Sequence, residues 1–185
     1  AVLALLLVLC LVLSGCNKNA SSDQPPGGKS DSSVQVLRKV HSEAFYDQND
    51  RTILLKAKIT VPEIVNTSND KGINEINQYY HSQIDTFMKS IKEEELEVAQ
   101  ADKEFAQNNG YEFRTHCIET SFEVAYNGHN LLSILNTKYT YTGGAHPNYT
   151  RTAQTFDLTT GKMVSLTDIL GVDKKEALEK VYATA

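Results

Sequence analysis

The sequence predicts an α+β fold in which antiparallel strands pack on one long helix. Two observations carry this prediction. Apolar residues alternate with polar ones in segments near the beginning and the end of the folded part, as in half-buried strands. Between these segments the apolar residues recur every three or four positions, as on one face of a helix. The 185 residues allow one or two small domains, and strands, a helix and further strands are the order of an α+β domain.

The first residues have the pattern of a bacterial lipoprotein signal. Ala1 to Leu13 is an unbroken apolar run, shorter than the about 20 residues that span a bilayer but suited to the core of a signal peptide. Leu13-Ser14-Gly15-Cys16 resembles a lipobox, whose cysteine thiol accepts a diacylglycerol. We therefore expect residues 1–15 to be a signal peptide that lacks its own beginning. Cys16 is expected to be lipidated and to hold the protein at the extracytoplasmic face of the cell membrane. The alternative is a shortened transmembrane helix in which Cys16 is incidental.

Residues 16–33 are predicted to be the lipidated cysteine and a flexible tether. The segment after Cys16 is rich in Pro, Gly and Ser and has no large apolar side chain before Val34, so it cannot form a core. A chain of this length reaches roughly 20–25 Å on average. Cys10 leaves with the signal peptide and Cys117 remains alone, so no disulfide is expected within the mature chain.

Two strands are predicted at the beginning of the folded part, Val34–Tyr46 and Thr52–Ile64. Gln48-Asn49-Asp50 between them has the composition of a turn, which predicts a hairpin. Pro62 indicates that the second strand ends or lies at an edge. Apolar residues occupy every other position of the second strand; they are Ile53, Leu55, Ala57, Ile59 and Val61.

One long helix follows. Ser68-Asn69-Asp70 supplies N-cap candidates and Asn108-Asn109-Gly110 is a typical stop, with a break predicted near Glu93-Glu94-Glu95. The exposed acids form either a solvated face or a docking face for a basic partner. The apolar stripe consists of Ile73, Ile76, Tyr80, Ile84, Phe87 and Ile91. The acids are Glu93, Glu94, Glu95, Glu97, Asp102 and Glu104.

Strand alternation returns after the helix. Asn127-Gly128 is a two-residue hairpin signal, and Thr160-Gly161 indicates a later turn. Asp168 and Asp173 are predicted N-caps of short helices. The three predicted strands are Glu112–Tyr126, Leu131–Tyr141 and Tyr149–Asp157.

A glycine corner between the last two strands is the candidate functional site. Gly143-Gly144 lets the chain leave a tyrosine-rich strand through backbone angles closed to other residues, and Pro147 disfavours a helix just before it. The corner is a turn that packs its own aromatics, a ligand-binding corner or a catalytic site. The candidate ligand- or partner-binding residues are Tyr141, Gly143, Gly144, His146, Asn148 and Tyr149.

Composition and motifs exclude several classes of function. The formal net charge of −5 and the lack of a Lys/Arg cluster argue against nucleic-acid binding. The five histidines have no metal-ligand spacing, and His116 and Cys117 are adjacent on a strand and face opposite ways. Nucleophile-elbow and Walker-type motifs are missing. We therefore expect no catalytic residue, no metal and no cofactor.

Two strings carry a family resemblance. Tyr141–Asn148 reads YTGGAHPN, and Phe156–Lys162 reads FDLTTGK, continued by Ser165–Leu170. Together they resemble the family that includes the extracytoplasmic region of the anti-sigma factor RsiV and the N-terminal module of the peptidoglycan deacetylase PdaC. The resemblance implies that 34–142 is an α+β domain like the PdaC N-terminal module. It implies that 143–185 is the beginning of a second, truncated α+β domain like the RsiV C-terminal domain.

The resemblance also implies a function. RsiV-like proteins recognise lysozyme, and acidity favours an encounter with such a basic protein. We expect a membrane-anchored, non-catalytic domain that binds or senses lysozyme or peptidoglycan. An anti-sigma role is not expected of a lipoprotein. The alternatives are an accessory module of a peptidoglycan-modifying enzyme and a structural envelope lipoprotein.

Overall fold

The structure is a computed structural model that describes residues 33–183. The predicted signal peptide, Cys16 and the tether up to residue 32 lie outside the described residues. The α+β prediction is confirmed. The elements are β1 (Val36–Tyr46), β2 (Ile53–Ile64), α1 (Lys71–Ser90), a π-helical turn (Ile91–Glu95), α2 (Leu96–Asn108), β3 (His116–Gly128), β4 (Leu131–Tyr141), β5 (Asn148–Asp157), α3 (Leu166–Leu170) and α4 (Lys174–Ala183).

The five strands form one sheet in the order β1-β2-β3-β4-β5. Three neighbouring pairs are antiparallel, as predicted, whereas β2 and β3 are parallel. The parallel pair corrects the expectation of antiparallel strands throughout. Its cause is the helical crossover between β2 and β3, which brings the chain back to the end of the sheet from which β2 started. Since β5 pairs with β4, the sheet crosses the boundary predicted between residues 142 and 143.

The long helix from α1 through the π-helical turn to α2 covers one face of the sheet, called here the inner face. The predicted stripe is correct, because Ile73, Ile76, Tyr80 and Ile91 are buried. Tyr80 belongs to a cluster with Phe156 from β5, and Ile91 belongs to a second cluster over β2 and β3. The apolar stripe of the helix and the apolar face of the sheet therefore pack against each other and form the core.

The break predicted near Glu93-Glu94-Glu95 is a π-helical turn in an otherwise continuous helix. Such a turn holds one residue more than an α-helical turn. Ile91, at its start, is 1% exposed, and Glu93 and Glu94 point to solvent. Lys89 lies 3.9 Å from Glu93 in an exposed i,i+4 pair, which contributes little to stability.

A buried lysine joins α2 to the β1–β2 turn. Lys103 is 6% exposed, and its ammonium lies 2.9 Å from the Asp47 carboxylate and 2.7 Å from that of Asp50. The hydrogen bond from Lys103 is the main cause that lowers the pKa of Asp50 to about 2. Lys103, one of the few cations of the acidic helix, therefore stabilises the hairpin turn that was predicted at residues 48–50.

The β3–β4 hairpin is confirmed, but its turn lies two residues later than predicted. Gly128 pairs with Leu131 in the ladder, and the turn residues are His129 and Asn130, with φ of 49° and 60°. Asn127 is held in the strand because its side chain accepts the Val34 N–H at 3.0 Å and donates to the Val34 carbonyl at 2.7 Å.

The turn of the FDLTTGK string packs against the first turn of α1. Asp157 Oδ1 accepts the Thr160 N–H at 2.7 Å, and Gly161 has a φ of +72°. A Cβ on Gly161 would lie 2.6 Å from the Gly72 carbonyl oxygen, and a Cβ on Gly72 would lie 2.2 Å from the Leu158 oxygen. Two glycines therefore let two backbone segments touch.

The short helices after this turn begin at capping residues. Ser165, rather than Asp168, is the N-cap of α3. Its side chain accepts the Asp168 N–H, and the Asp168 carboxylate accepts the Ser165 N–H at 2.8 Å. Asp168 was wrongly predicted as the cap because a capping box places an acid three residues after the cap. The predicted role of Asp173 is confirmed, since its Oδ1 accepts the Glu176 N–H at 2.9 Å.

Candidate functional site

The glycine corner joins β4 to β5 through residues 142–147. Gly143 has a φ of +80°, the left-handed conformation that favours glycine. Arg114, in the segment before β3, donates from Nη1 to the carbonyl oxygens of Gly143 and Gly144 at 3.4 and 3.3 Å. This contact could not be predicted from the sequence, because the two segments become neighbours only when the sheet forms.

The six predicted site residues do not converge on one pocket. Tyr141 and Tyr149 lie on the outer face of the sheet, away from the helices, and Gly143 lines a cleft beside α2. Gly144, His146 and Asn148 are exposed on the corner itself. The last two make local contacts: His146 Nδ1 is 3.2 Å from the Pro147 oxygen, and Asn148 Oδ1 accepts the Tyr149 N–H at 2.9 Å.

Three tyrosines form a patch on the outer face, and we call Tyr139, Tyr141 and Tyr149 the tyrosine patch. Tyr139 and Tyr149 are opposite each other in the β4–β5 ladder, with ring centroids 5.3 Å apart at an interplanar angle of 70°. The Tyr149 side chain is 62% exposed. Burial raises the pKa of Tyr139, so its phenol is neutral at physiological pH. Tyr139 was not among the binding residues predicted from the sequence.

Cys117 shares this face. It is opposite Tyr141 in the β3–β4 ladder, and its Sγ lies 3.5 Å from Oε1 of Glu119. Burial, followed by the neighbouring Glu119 carboxylate, raises the pKa of the Cys117 thiol. The thiolate is the reactive form of cysteine, so Cys117 stands in the environment of an unreactive thiol.

On the other side of the corner lies a cleft of about 370 Å³. Phe105 from α2 and Tyr111 form its exposed aromatic wall, with ring centroids 6.4 Å apart and stacked at 25°. Their side chains are 62% and 68% exposed. Arg114 and Gly143 line the opposite side, so the Arg114 contact shapes both the corner and the cleft.

Asp102 and His116 meet at the base of the cleft. His116 Nε2 lies 3.1 Å from Asp102 Oδ2, and the Phe113 ring stacks on the imidazole with centroids 5.9 Å apart. Burial lowers the pKa of His116 and outweighs the opposing effect of the Asp102 carboxylate. The neutral ring therefore donates from Nε2 to Asp102. Its Nδ1 is buried and is the one side-chain atom without a partner among buried nitrogens and oxygens in residues 33–183.

The Asp102–His116 pair was missed by sequence reasoning. Asp102 was counted among the acids of a solvated or docking face, and His116 was considered only with its neighbour Cys117. Helix periodicity places Asp102 at a half-exposed position, and only the packing of α2 over β3 brings a buried histidine to it. The pair orients α2 on the sheet, and its buried Nδ1 is closed to a substrate in this conformation.

The part of the chain that the structure describes lacks two further features, a metal cluster and a membrane-spanning helix. Within it, no three His, Cys, Asp or Glu side chains are grouped so that they could hold a metal ion. None of its helices combines the length and apolar character needed to cross a membrane.

The chain is similar to one protein family in sequence and to solved structures in fold. A protein-family model described as Deacetylase PdaC matches residues 48–149. Among solved structures, a member of the DUF3298 family from Bacteroides fragilis is similar, with a TM-score of 0.55 and 17% identity over 80% of this chain and 73% of that chain. A DUF3298 family protein from Pseudomonas aeruginosa PAO1 has a TM-score of 0.48 and 15% identity over 75% and 58%. None of the curated proteins matches.

Proposed function

The chain belongs to the protein family described as Deacetylase PdaC, and from this we propose that it is a membrane-anchored, non-catalytic binding domain. Its ligand is a component of the cell wall or a basic protein that acts on the wall, such as lysozyme. The observation that carries the proposal is the tyrosine patch, which stands on the outer face of the sheet beside the glycine corner.

The tyrosine patch has the chemistry of a contact surface. Tyrosine offers a large apolar ring with a polar end, and buried tyrosines supply much of the binding energy at protein interfaces. The edge-to-face contact of Tyr139 with Tyr149 limits the motion of both rings, so little conformational entropy remains to be lost on binding. Such rings also stack on the apolar faces of sugars, which makes the patch suitable for either kind of ligand.

The acidic helix supports a basic partner. Glu93, Glu94 and Glu97 are exposed on the π-helical turn and the start of α2, and the whole chain carries a net charge of −5. Exposed charges of one sign act mainly on the rate of association with an oppositely charged protein. We therefore assign steering to these glutamates and contact to the tyrosine patch.

The test is the kinetics of lysozyme binding to the 185-residue chain at two salt concentrations. Tyr149→Ala should speed dissociation, by about 30-fold if the ring contributes the about 2 kcal/mol of a hot spot. Tyr126→Ala is the matched control. Tyr126 is also exposed, at 44%, but it lies near the end of β3, far from the glycine corner. Neutralising the three glutamates should slow association and flatten its salt dependence.

Two results would overturn the contact assignment. One is equal dissociation rates for Tyr149→Ala and Tyr126→Ala, and the other is the absence of lysozyme and peptidoglycan binding at low salt by a folded chain. The second result would leave a structural envelope lipoprotein.

The membrane anchor has its own test. We propose that Cys16 carries the lipid, because it is the last residue of the lipobox-like string Leu13-Ser14-Gly15-Cys16. Cys16→Ala should move the protein from the membrane fraction to a soluble or uncleaved form. Unchanged processing and fractionation would contradict the anchor without touching the binding proposal.

The family description favours one second candidate. A family described as a deacetylase is compatible with an accessory module that brings a peptidoglycan-modifying enzyme to its substrate. Pull-down of purified peptidoglycan by the chain, weakened in Tyr149→Ala, would favour this role over capture of lysozyme.

A further inference from the structure

A second recess lies on the inner face, where the sheet divides. β2 and β3 are paired only from Leu55–His116 to Ile59–Thr120. At the point of division the Thr60 N–H donates to Thr120 Oγ1 at 3.3 Å. Beyond it lies an opening of about 250 Å³ between α1 and the sheet. We call this opening the threonine groove; its lining includes Thr120, Thr150, Thr152, Tyr80, Asn136 and Gln154.

The groove is polar, although it lies on the inner face of the sheet, where the core residues are apolar. The inner-face positions of β4 and β5 begin as core, with Leu132, Ile134 and Phe156 at 1% exposure or less. The following inner-face positions are Asn136, Gln154, Thr152 and Thr150, opposite the middle of a helix that elsewhere covers apolar residues. Departures of this kind from the pattern of a sheet are expected where a surface serves a function.

The groove is organised before any ligand arrives. Gln154 Oε1 accepts hydrogen bonds from the Tyr80 hydroxyl and from Asn136 Nδ2, each at 3.0 Å. Gln154 Nε2 donates to the Tyr79 hydroxyl. Burial raises the pKa of Tyr80, which keeps its hydroxyl a donor. The network fixes which way both amides face, and a pre-ordered site loses less entropy when it binds.

The chemistry of the lining selects a neutral ligand. Threonine hydroxyls and the amides of Asn136 and Gln154 each combine donors with acceptors, as do the hydroxyl and amide groups of an uncharged ligand. Among the described residues that line the groove, Lys138 is the single charged one, and it is exposed. A charged ligand group would therefore lose its hydration without a buried counter-charge. Ile59 and Val61 are both buried at 4% exposure and provide an apolar floor.

From these observations we infer that the threonine groove binds one neutral sugar unit that carries an amide substituent. The amide pairs with Asn136 and Gln154, the hydroxyls pair with Thr150 and Thr152, and an apolar ring face covers Ile59 and Val61. The volume is below the about 300 Å³ of the smallest pockets that hold drug-sized ligands, so a single ring is the fitting size. This site lies on the face of the sheet opposite the tyrosine patch.

Three sugars of similar shape and different charge test the inference: N-acetylglucosamine, cationic glucosamine and anionic glucuronate. Each is titrated into the 185-residue chain, held in a detergent without a sugar headgroup, while the backbone amide signals are followed by NMR. N-acetylglucosamine should shift the signals of Thr120 and Thr152, and both charged sugars should bind at least about tenfold more weakly.

Variants assign the binding to the groove. Thr152→Val removes one exposed hydroxyl at nearly constant volume and should weaken binding about two- to tenfold. Thr152→Phe should abolish it by filling the opening. Thr142→Val, which alters an exposed threonine at the corner, is the matched control. Tyr149→Ala should bind the sugar as before even if it loses the ligand of the tyrosine patch, which separates the two proposals.

Several results would overturn the inference. They are no shift by a folded chain up to the solubility limit of N-acetylglucosamine, tighter binding of a charged sugar, and unchanged binding by Thr152→Phe. A neutral tripeptide that shifts the same signals at lower concentration than the sugar would also overturn it, because the groove would then be a peptide site.

Discussion

Replacing Gly72 by alanine should destabilise the fold, because the glycine contact between α1 and the turn after β5 leaves no room for a methyl group. The new Cβ would lie 2.2 Å from the Leu158 oxygen and 2.6 Å from the Thr159 carbonyl carbon. Both partners are backbone atoms, so neither can turn away as a side chain would. The Leu158 oxygen would have to retreat by about 0.8 Å to reach even the 3.0 Å below which real Cβ contacts essentially never occur.

The expected cost follows from two opposing effects. Overpacking a dense site costs typically about 1–3 kcal/mol, while alanine favours a helix over glycine by at most about 1 kcal/mol. From the middle of the overpacking range, about 2 kcal/mol, the net loss should be about 1–2 kcal/mol, which corresponds to a fall in Tm of roughly 2–8 °C for a domain of this size. Thermal unfolding followed by circular dichroism measures it.

Gly144→Ala is the control for this experiment. A Cβ at Gly144 meets nothing within 4 Å, and its φ lies outside the positive range, so its free energy of unfolding should change by no more than about 0.5 kcal/mol. If Gly72→Ala unfolds at the same temperature as the parent chain, or if Gly144→Ala is the less stable of the two, the close backbone contact is refuted.

Three further perturbations test the core and the buried charges. Phe156→Ala should cost about 3–5 kcal/mol in urea unfolding, against at most about 0.5 kcal/mol for Phe105→Ala on the surface; equal costs would contradict the assigned core. Because the pKa of His116 is lowered in the fold, its contribution is present above its unfolded pKa of about 6.5 and is lost as the pH falls below that value. His116→Gln should flatten the pH dependence of Tm in that range, and an unaltered slope would argue against a buried neutral imidazole. The lowered pKa of Asp50 gives stability that is present above about pH 4 and lost on further acidification; Lys103→Met should remove this loss, and hydrogen exchange should show a loosened β1–β2 turn, whereas unchanged exchange would contradict the tie.

Features that depend on local periodicity were predicted correctly from the sequence. The direction of one strand pairing and the position of one turn were not. The helix stripe from Ile73 to Ile91 was readable because burial on one side of a helix repeats every 3.6 residues. The parallel β2–β3 pairing was not readable, since alternation marks a strand but not the direction of its neighbour. The β3–β4 turn was displaced because Asn127-Gly128 has the composition of a turn, whereas the tertiary bond to Val34 holds Asn127 in the strand.

The candidate site likewise contains features that the sequence predicted and features that it did not. Gly143 was identified correctly as a residue with an unusual backbone, because its neighbours in sequence already indicate a corner. The Arg114 contact, the Asp102–His116 pair and the groove around Gln154 join residues from separate elements. A single sequence carries no signal for such pairs. The one local hint was the series of Thr, Asn and Gln residues at core-facing strand positions, which a pattern of burial alone reads as an interruption.

The two hydrogen bonds between Asn127 and Val34 also determine how the domain would bear a mechanical load. A pull on the residues before Val34 acts first on a side-chain clamp to a position 93 residues further along the chain. That clamp sits ahead of β1, so tension passes into the β3–β4 hairpin in the middle of the sheet before it reaches the edge strand. Without it, the β1–β2 ladder would open from Val36 one pair at a time. With it, the two hydrogen bonds to Asn127 must break before that ladder can open, so a single asparagine raises the force at which the edge begins to peel.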